Sequence, residues 1–272
     1  MTSTKEISIL GCGWYGFALA KILVAKGFKV KGSTTSAEKM SVLEQSGILP
    51  YKISFEEEDQ YFDKEFFSAP LLLIAIPPKR SSGQQHTFLP KIKKIMAAAI
   101  ANRVKQIIFI SSTSVYGDHN HEVDESTPAI PDTASGQAIL SAERWLQSSE
   151  DFNTTVIRFG GLIGPDRNPG RFFAGKHDVP NGQAPVNLIE LHDCIGITMA
   201  ILEKEAYGKV YNACATDHPS RAQFYTAAST LSHLPPPQFI DELLRWKIVN
   251  SINVSEELGY VFNSPLHPLA AQ

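Results

Sequence analysis

Cysteine is scarce in this chain of 272 residues: Cys12, Cys194 and Cys214 are odd in number, far apart, and outside any CxxC or Cys/His spacing. Such a set builds neither a disulfide framework nor a zinc site, so no metal ligands are assigned. The thiols read as reduced, which makes the cytoplasm the expected compartment. Long apolar runs are missing as well. The longest, residues 69–78, has prolines near both ends and falls far short of the ~20 residues that span a bilayer. Residues 7–20 end in an Ala-x-Ala pattern like a signal segment, but Glu6 precedes them and three glycines interrupt them. Positive charge is not in excess either: 25 Lys+Arg stand against 28 Asp+Glu, a net charge of −3, which excludes nucleic-acid binding through bulk charge. With 43% hydrophobic and only 19% charged residues, the composition is that of a globular chain with a large interior and not of a disordered one.

What is present is alternation. Apolar runs of strand length recur at 6–10, 28–32, 71–76, 106–111 and 154–159, with a short one near 50–53, and helical periods lie between them. Those periods run through Tyr15, Ala18, Ile22 and Ala25, then Phe88, Ile92, Ile95 and Ala99, then Ala138, Ala142 and Trp145, then Ile195, Met199 and Leu202. The pattern predicts an α/β fold with a doubly wound parallel sheet. From Gly160 to Pro185 glycine and proline punctuate a long aperiodic segment, followed later by a helix expected over 221–231 and a triple proline at 235–237. We therefore expect a core over 1–160 and a mixed region over 161–272: a small, discontinuous C-terminal lobe on the substrate side, with remaining core elements around 186–212.

Gly11-Cys12-Gly13-Trp14-Tyr15-Gly16 reads GxGxxG directly after the first strand and at the opening of a helix. In that context Gly11 permits the tight turn, Gly13 lets backbone approach a pyrophosphate, and Gly16 lets helix pack on strand, the fingerprint of a Rossmann dinucleotide site. The helix N-terminus offers its amides to the phosphates. An NAD site usually ends its second strand with a carboxylate that holds the ribose hydroxyls. Here Lys31-Gly32-Ser33-Thr34-Thr35-Ser36 and Lys39 supply hydroxyls and an ammonium instead. NADP(H) is favoured over NAD(H) on that ground, with Thr34, Thr35 and Lys39 as candidate 2′-phosphate ligands. Capping of the next helix by residues 34–36 is an equally open reading. Ala75, Ile76, Pro77 and Pro78 follow the strand at 71–76, an edge that lies over the cofactor in such a sheet; the prolines either end the strand or contact the cofactor.

From Ile108 the chain reads IFISSTSVYGD, and here it resembles the extended short-chain dehydrogenase/reductases, the NAD-dependent epimerase/dehydratase group. The likeness continues through Arg158 and GGLIGP, VNLIELHD, YNACATDHPSR and NVSEELGY, so it covers essentially the whole chain. It implies that Ser112 is the catalytic hydroxyl and that Trp14, Tyr15, Ser111, Phe159 and Gly160 join the cofactor contacts. It also implies a homodimer formed through the helices near 88–100 and 138–146. Two departures mark an atypical branch. The glycine motif is GxGxxG where most extended members carry GxxGxxG. The family's YGxxKxxxE aligns with SGQAILSAE, which puts Ser135 at the catalytic Tyr and Ile139 at the Lys. Glu190 and His192 likewise replace the usual His and first Asp of a later motif.

Two functions are therefore weighed. One is an oxidoreductase or epimerase/dehydratase-like enzyme on a hydroxyl or carbonyl substrate, sugar-derived in such families, with Ser112 polarising the oxygen. The other is a non-catalytic NAD(P)-binding redox sensor or regulatory protein. Tyr116 belongs to the family motif and reads as packing beneath the loop. Asp118, His119, His121 and Asp124 form a titratable cluster that reads as a solvated loop, and residues 56–59, EEED, as an exposed acidic turn.

Overall fold

Strand β1 (Glu6–Leu10) is buried at four of its five positions, as befits a central strand covered on both sides. The computed structural model, which describes residues 5–56, 60–78, 83–263 and 266, continues from it into α1 (Trp14–Ala25), β2 (Lys29–Thr34), α2 (Glu38–Gln45) and β3 (Leu49–Lys52). A short antiparallel pair, β4 (Ser54–Phe55) with β5 (Gln60–Tyr61), precedes β6 (Leu71–Ile74), α3 (Phe88–Ala101) and β7 (Gln106–Ser112). The chain then forms β8 (His121–Val123), α4 (Ala134–Gln147), β9 (Asn153–Phe159), β10 (Gly161–Ile163) and β11 (Leu188–Glu190). It closes with α5 (Leu191–Lys204), β12 (Val210–Ala213), α6 (Arg221–Leu231), β13 (Lys247–Val249) and α7 (Ile252–Glu256).

The seven-stranded parallel sheet has the order β12-β9-β7-β6-β1-β2-β3. Leaving β1, the chain adds β2 and β3 on one side and then crosses to β6 on the other, so the strand order reverses between β1 and β6. Ligands of such sheets bind at this switch point, beyond the carboxyl ends of the strands. Leu10 pairs with Ile74, and the Ala75 amide donates to the Leu10 carbonyl at 2.8 Å, which brings the glycine loop and the segment after β6 side by side.

Two compact units divide the chain: Met1–Ser111, Ala134–Ile157 and Tyr207–Lys209 form the first, and Ser112–Thr133, Arg158–Ala206 and Val210–Gln272 the second. Ile7, Ile9, Leu19, Leu23, Leu72 and Ile95 are sealed inside the first; each such side chain is worth about 1.5–3 kcal/mol of burial. In the second, Ile163, Val186, Leu188, Phe224 and Tyr225 form a cluster with Phe173 and Phe239 packed against it.

Phe88, Ile92, Ile95 and Ala99 of α3 are buried together, as their spacing predicted. The expected face of α1 is corrected: Tyr15, Gly16, Leu19, Ala20 and Leu23 are inside, while Ile22 is 41% exposed. WYGFALAKILVA is apolar on almost every side, so several stripes satisfy the period; the close approach of Gly16 to β1 decides among them. Trp145 of α4 is likewise at the surface, its ring under the Lys93 ammonium at 4.0 Å, and Ile139, Leu140, Ala142 and Leu146 face inward. Among the described residues no helix is long and apolar enough to cross a membrane.

Candidate functional site

The glycine loop holds the geometry its sequence demands. Gly11 has φ +104°, and a Cβ there would stand 2.9 Å from the Ala75 carbonyl oxygen. At Gly16 a Cβ would fall 2.2 Å from the Gly11 carbonyl oxygen, so helix and loop touch backbone to backbone. Gly13 differs: a Cβ there meets nothing within 4 Å. Its missing side chain keeps space open at the N-cap of α1, where no side chain caps the helix, as a pyrophosphate requires. Trp14 and Tyr15 lie in the first turn of that helix, half-buried and buried.

A cavity of about 230 Å³ opens beside the loop, lined by Gly11, Cys12 and Gly13, by Ser33, Thr34, Thr35 and Lys39, and by Ile76. It brings together six of the residues expected to hold the cofactor. Of the others near it, Ala75 abuts Gly11, Pro77 is exposed and Pro78 is buried. Ser33 Oγ accepts the Gly11 amide at 2.8 Å, and its carbonyl accepts the Cys12 amide at 2.9 Å, so Ser33 braces the loop. Thr34 Oγ1 accepts the Ser36 amide at 3.1 Å. The alternative that residues 34–36 cap α2 is not what forms: that helix has Ala37 at its N-cap and no side-chain cap. Cys12 lines the cavity, but burial pushes its thiol up to about 12, so it stays protonated.

Sequence reasoning missed the far wall of the cavity, which consists of Ile53, Ser54, Phe55, Glu56 and Lys91. Glu56, expected in an exposed acidic turn, is half-buried and accepts a hydrogen bond from Lys91 Nζ at 2.6 Å. Residues 57–59 of that run lie outside the described residues. Nothing local signals this pair, because its members are thirty-five positions apart.

Ser112 ends β7 and is half-buried; its Oγ accepts the Ser114 amide at 3.2 Å, which leaves the hydroxyl its own proton to donate. Ser114 Oγ is buried without a hydrogen-bond partner among the described residues. A buried hydroxyl left unsatisfied by protein is met by bound water, an ion or a ligand. Ser111 Oγ donates to the buried Glu143, which ties β7 to α4. On α4, Ser135 is half-buried in the first turn and Ile139 is 4% exposed. Phe159 is buried, and the Gly160 amide donates to the Ala213 carbonyl at 2.9 Å.

Tyr116 is locked in place. It is 1% exposed, its hydroxyl accepts from Arg158 Nη1 at 2.7 Å, and that oxygen also lies 2.8 Å from the Asp124 carbonyl and 3.1 Å from Asn212 Oδ1. Burial pushes its phenol up, against the pull of the Arg158 guanidinium. Of the Asp118 to Asp124 cluster, expected as a solvated loop, His121 lies in β8 and both aspartates are tied into the protein. Asp118 Oδ1 pairs with Lys247 Nζ at 2.7 Å, and Asp124 Oδ1 accepts from Ser126 and Thr127, which holds that carboxyl low. No group of three or more His, Cys, Asp or Glu among the described residues could hold a metal ion. Glu190 caps α5 by accepting the His192 amide, and Asp193 accepts the Tyr260 hydroxyl at 2.8 Å.

A family model described as NAD(P)H-binding matches residues 11–189, the stretch that begins at the glycine loop. The chain belongs to that family. Protein YeeZ of Escherichia coli K12 is 38% identical to this NAD(P)H-binding protein over 266 residues, 96% of this chain and 97% of YeeZ. A functionally unknown conserved protein from Silicibacter pomeroyi is 25% identical, with a TM-score of 0.77 over 96% of this chain and 95% of that one. UDP-glucuronic acid 4-epimerase from Bacillus cereus, solved with NAD, has a TM-score of 0.78 at 19% identity, covering 97% of this chain and 93% of its own. At that identity the likeness speaks for fold, and the fold of this NAD(P)H-binding protein is that of the extended short-chain dehydrogenase/reductases.

Proposed function

We propose that the protein is an NADP(H)-dependent oxidoreductase or epimerase/dehydratase-like enzyme acting on a hydroxyl or carbonyl of a small, sugar-derived substrate. The observation that carries this reading is the unsatisfied, buried Ser114 hydroxyl beside Ser112, a polar group held ready where the family resemblance puts the reacting oxygen. The cofactor supplies hydride exchange at its nicotinamide when bound. Gly13 and the α1 N-terminus receive its pyrophosphate, Thr35 and Lys39 favour a 2′-phosphate, and Ser112 donates its proton to the substrate oxygen. Structural neighbours solved with UDP-glucuronic acid or UDP-glucose together with NAD make sugar nucleotides the first substrates to try.

Ser135 does not ionise near neutral pH and Ile139 carries no charge, so the usual acid–base pair, worth about 10²–10⁴-fold, is not supplied at those positions. Slow turnover is expected. The same substitution favours the second reading, a non-catalytic NAD(P)-binding regulatory protein. Reduced thiols point to the cytoplasm, and α3 with α4 is the face proposed for a homodimer, for which light scattering should give twice the chain mass.

The test is nicotinamide absorbance, together with NMR detection of epimerised sugar, for wild type and Ser112→Ala against sugar nucleotides and simple carbonyls. Substrate-dependent turnover that Ser112→Ala abolishes, with cofactor affinity retained, supports the enzyme. Dinucleotide affinity that differs between redox states, with no turnover on any substrate, supports the regulator.

A further inference from the structure

The cavity beside the glycine loop carries three charged side chains among its described lining: Lys39, Glu56 and Lys91. Lys39 is exposed and has no ion-pair partner among the described residues. Lys91, on α3, is different. Its side chain is only 13% exposed, and its ammonium sits 2.6 Å from Glu56 Oε1, whose side chain is 35% exposed. The neighbouring Lys93 is turned to the Trp145 ring, so Lys91 is directed at the cavity by its place on the helix.

We propose that the Glu56–Lys91 ion pair is an exchangeable counter-ion that sets discrimination between phosphorylated and unphosphorylated dinucleotides; this rests on the NADP(H) reading above. A half-buried ammonium is costly without an anion, and Glu56 neutralises it while no cofactor is bound. A 2′-phosphate brings up to two negative charges into the same cavity. Lys91 then exchanges one carboxylate for a stronger anion, and the Glu56 side chain, a third exposed, gives up that contact. An unphosphorylated ribose offers no anion, so the pair stays closed and adds nothing to NAD affinity. The described walls carry two ammonium groups and one carboxylate. Glu56 thereby opposes the phosphate and Lys91 draws it, in a region that the β2 loop alone does not control.

Calorimetric titration of the full chain with NADP+ and NAD+ at one salt concentration tests this. Glu56→Gln should tighten NADP+ about three- to tenfold and leave NAD+ within about twofold, because it removes the competing charge without removing bulk. Lys91→Met should weaken NADP+ by about tenfold, with NAD+ again unchanged, and the effects of the two single changes should not add in the double variant, because the two side chains share one ion pair. Lys91→Arg, which keeps the charge, should keep the wild-type ratio and guards against a folding defect. Loss of both dinucleotides alike in Glu56→Gln would mean that Glu56 holds ribose or base, and would overturn the proposal. So would an NADP+/NAD+ ratio that Lys91→Met leaves untouched. A wild-type preference for NAD+ sinks the NADP(H) reading by itself, while the ratio shifts in the variants still decide the ion-pair claim.

Discussion

The two units of the molecule differ in what their most conspicuous clusters of polar side chains do. In the first, the hydroxyls of Thr34 and Thr35, Lys39 and the Glu56–Lys91 pair line an open cavity, beside a glycine whose side-chain space is empty. In the second, the titratable groups serve the architecture itself. Arg158 and Asn212 hold the Tyr116 hydroxyl, and Glu125 accepts amides of Asn212, Ile252 and Asn253 while burial raises its carboxyl. Asp193 anchors Tyr260, and Lys247 binds the Tyr116 carbonyl together with Asp118. A conspicuous cluster of ionisable residues is thus no guide to a site in this fold; space and an unmet hydrogen bond are better ones. Ser114 is the second unit's exception, and for that reason the proposed chemistry lies beside it.

The contrast breaks most sharply at two glycines. Gly16→Ala drives a Cβ into the Gly11 carbonyl, backbone that cannot yield, and should cost about 1–3 kcal/mol in thermal or urea unfolding. Gly196→Ala in the second unit meets the Tyr260 hydroxyl at 2.2 Å, the end of a side chain that can swing away, and should cost less, near the ~1 kcal/mol of one hydrogen bond. Equal losses would mean that the loop of the first unit is as compliant as a side chain.

Tyr116→Phe sharpens the comparison from the other side. If the phenol only holds the second unit together, its removal should lower unfolding stability by about 1–3 kcal/mol, because buried partners are left unsatisfied. Dinucleotide affinity should not change. Full stability with loss of turnover would instead make Tyr116 the missing acid.

The smallest effect is expected at Lys31, a 1% exposed lysine of β2 that pairs with Glu65 at 2.9 Å and Glu6 at 3.1 Å. Burial raises the Glu6 carboxyl, but hydrogen bonds from Lys31 and then Lys29 outweigh it and leave Glu6 below its ordinary 4.5. The Lys31 hydrogen bond also lowers Glu65. Both folded values lie below the unfolded ones, so this stabilisation is complete above about pH 4.5 and is lost as pH falls through the folded values. Lys31→Met should therefore flatten the acid limb of stability against pH by lowering the neutral plateau, with stability at low pH changed least. An unchanged acid limb would show that the triad is not linked to folding.

Local pattern carried much of this architecture. Continuous apolar runs announce β6 and β7, and the glycine motif announces the α1 entry, because two-sided burial and phosphate approach each leave a signature within a few residues. The three-residue strands β8 and β13 were illegible, since His121–Val123 pairs with Lys247–Val249 across more than half the remaining chain and neither has a period of its own. The cavity followed the same division. Its loop side was read from contiguous residues, whereas Glu56 and Lys91 meet only through the fold. Ser114 leaves no mark in the sequence, because its burial without a partner among the described residues is a property no string displays.

Calorimetric titration of NADPH into wild type and Gly13→Ala addresses the central claim, that the first unit's open loop is a dinucleotide site. The added methyl meets no protein atom within 4 Å, so both proteins should unfold at the same temperature. Wild type should bind one NADPH per chain, and Gly13→Ala should lose at least about tenfold in affinity, because the methyl fills the space the pyrophosphate needs. Undiminished affinity in Gly13→Ala would show that the loop is only a turn and contradict the account.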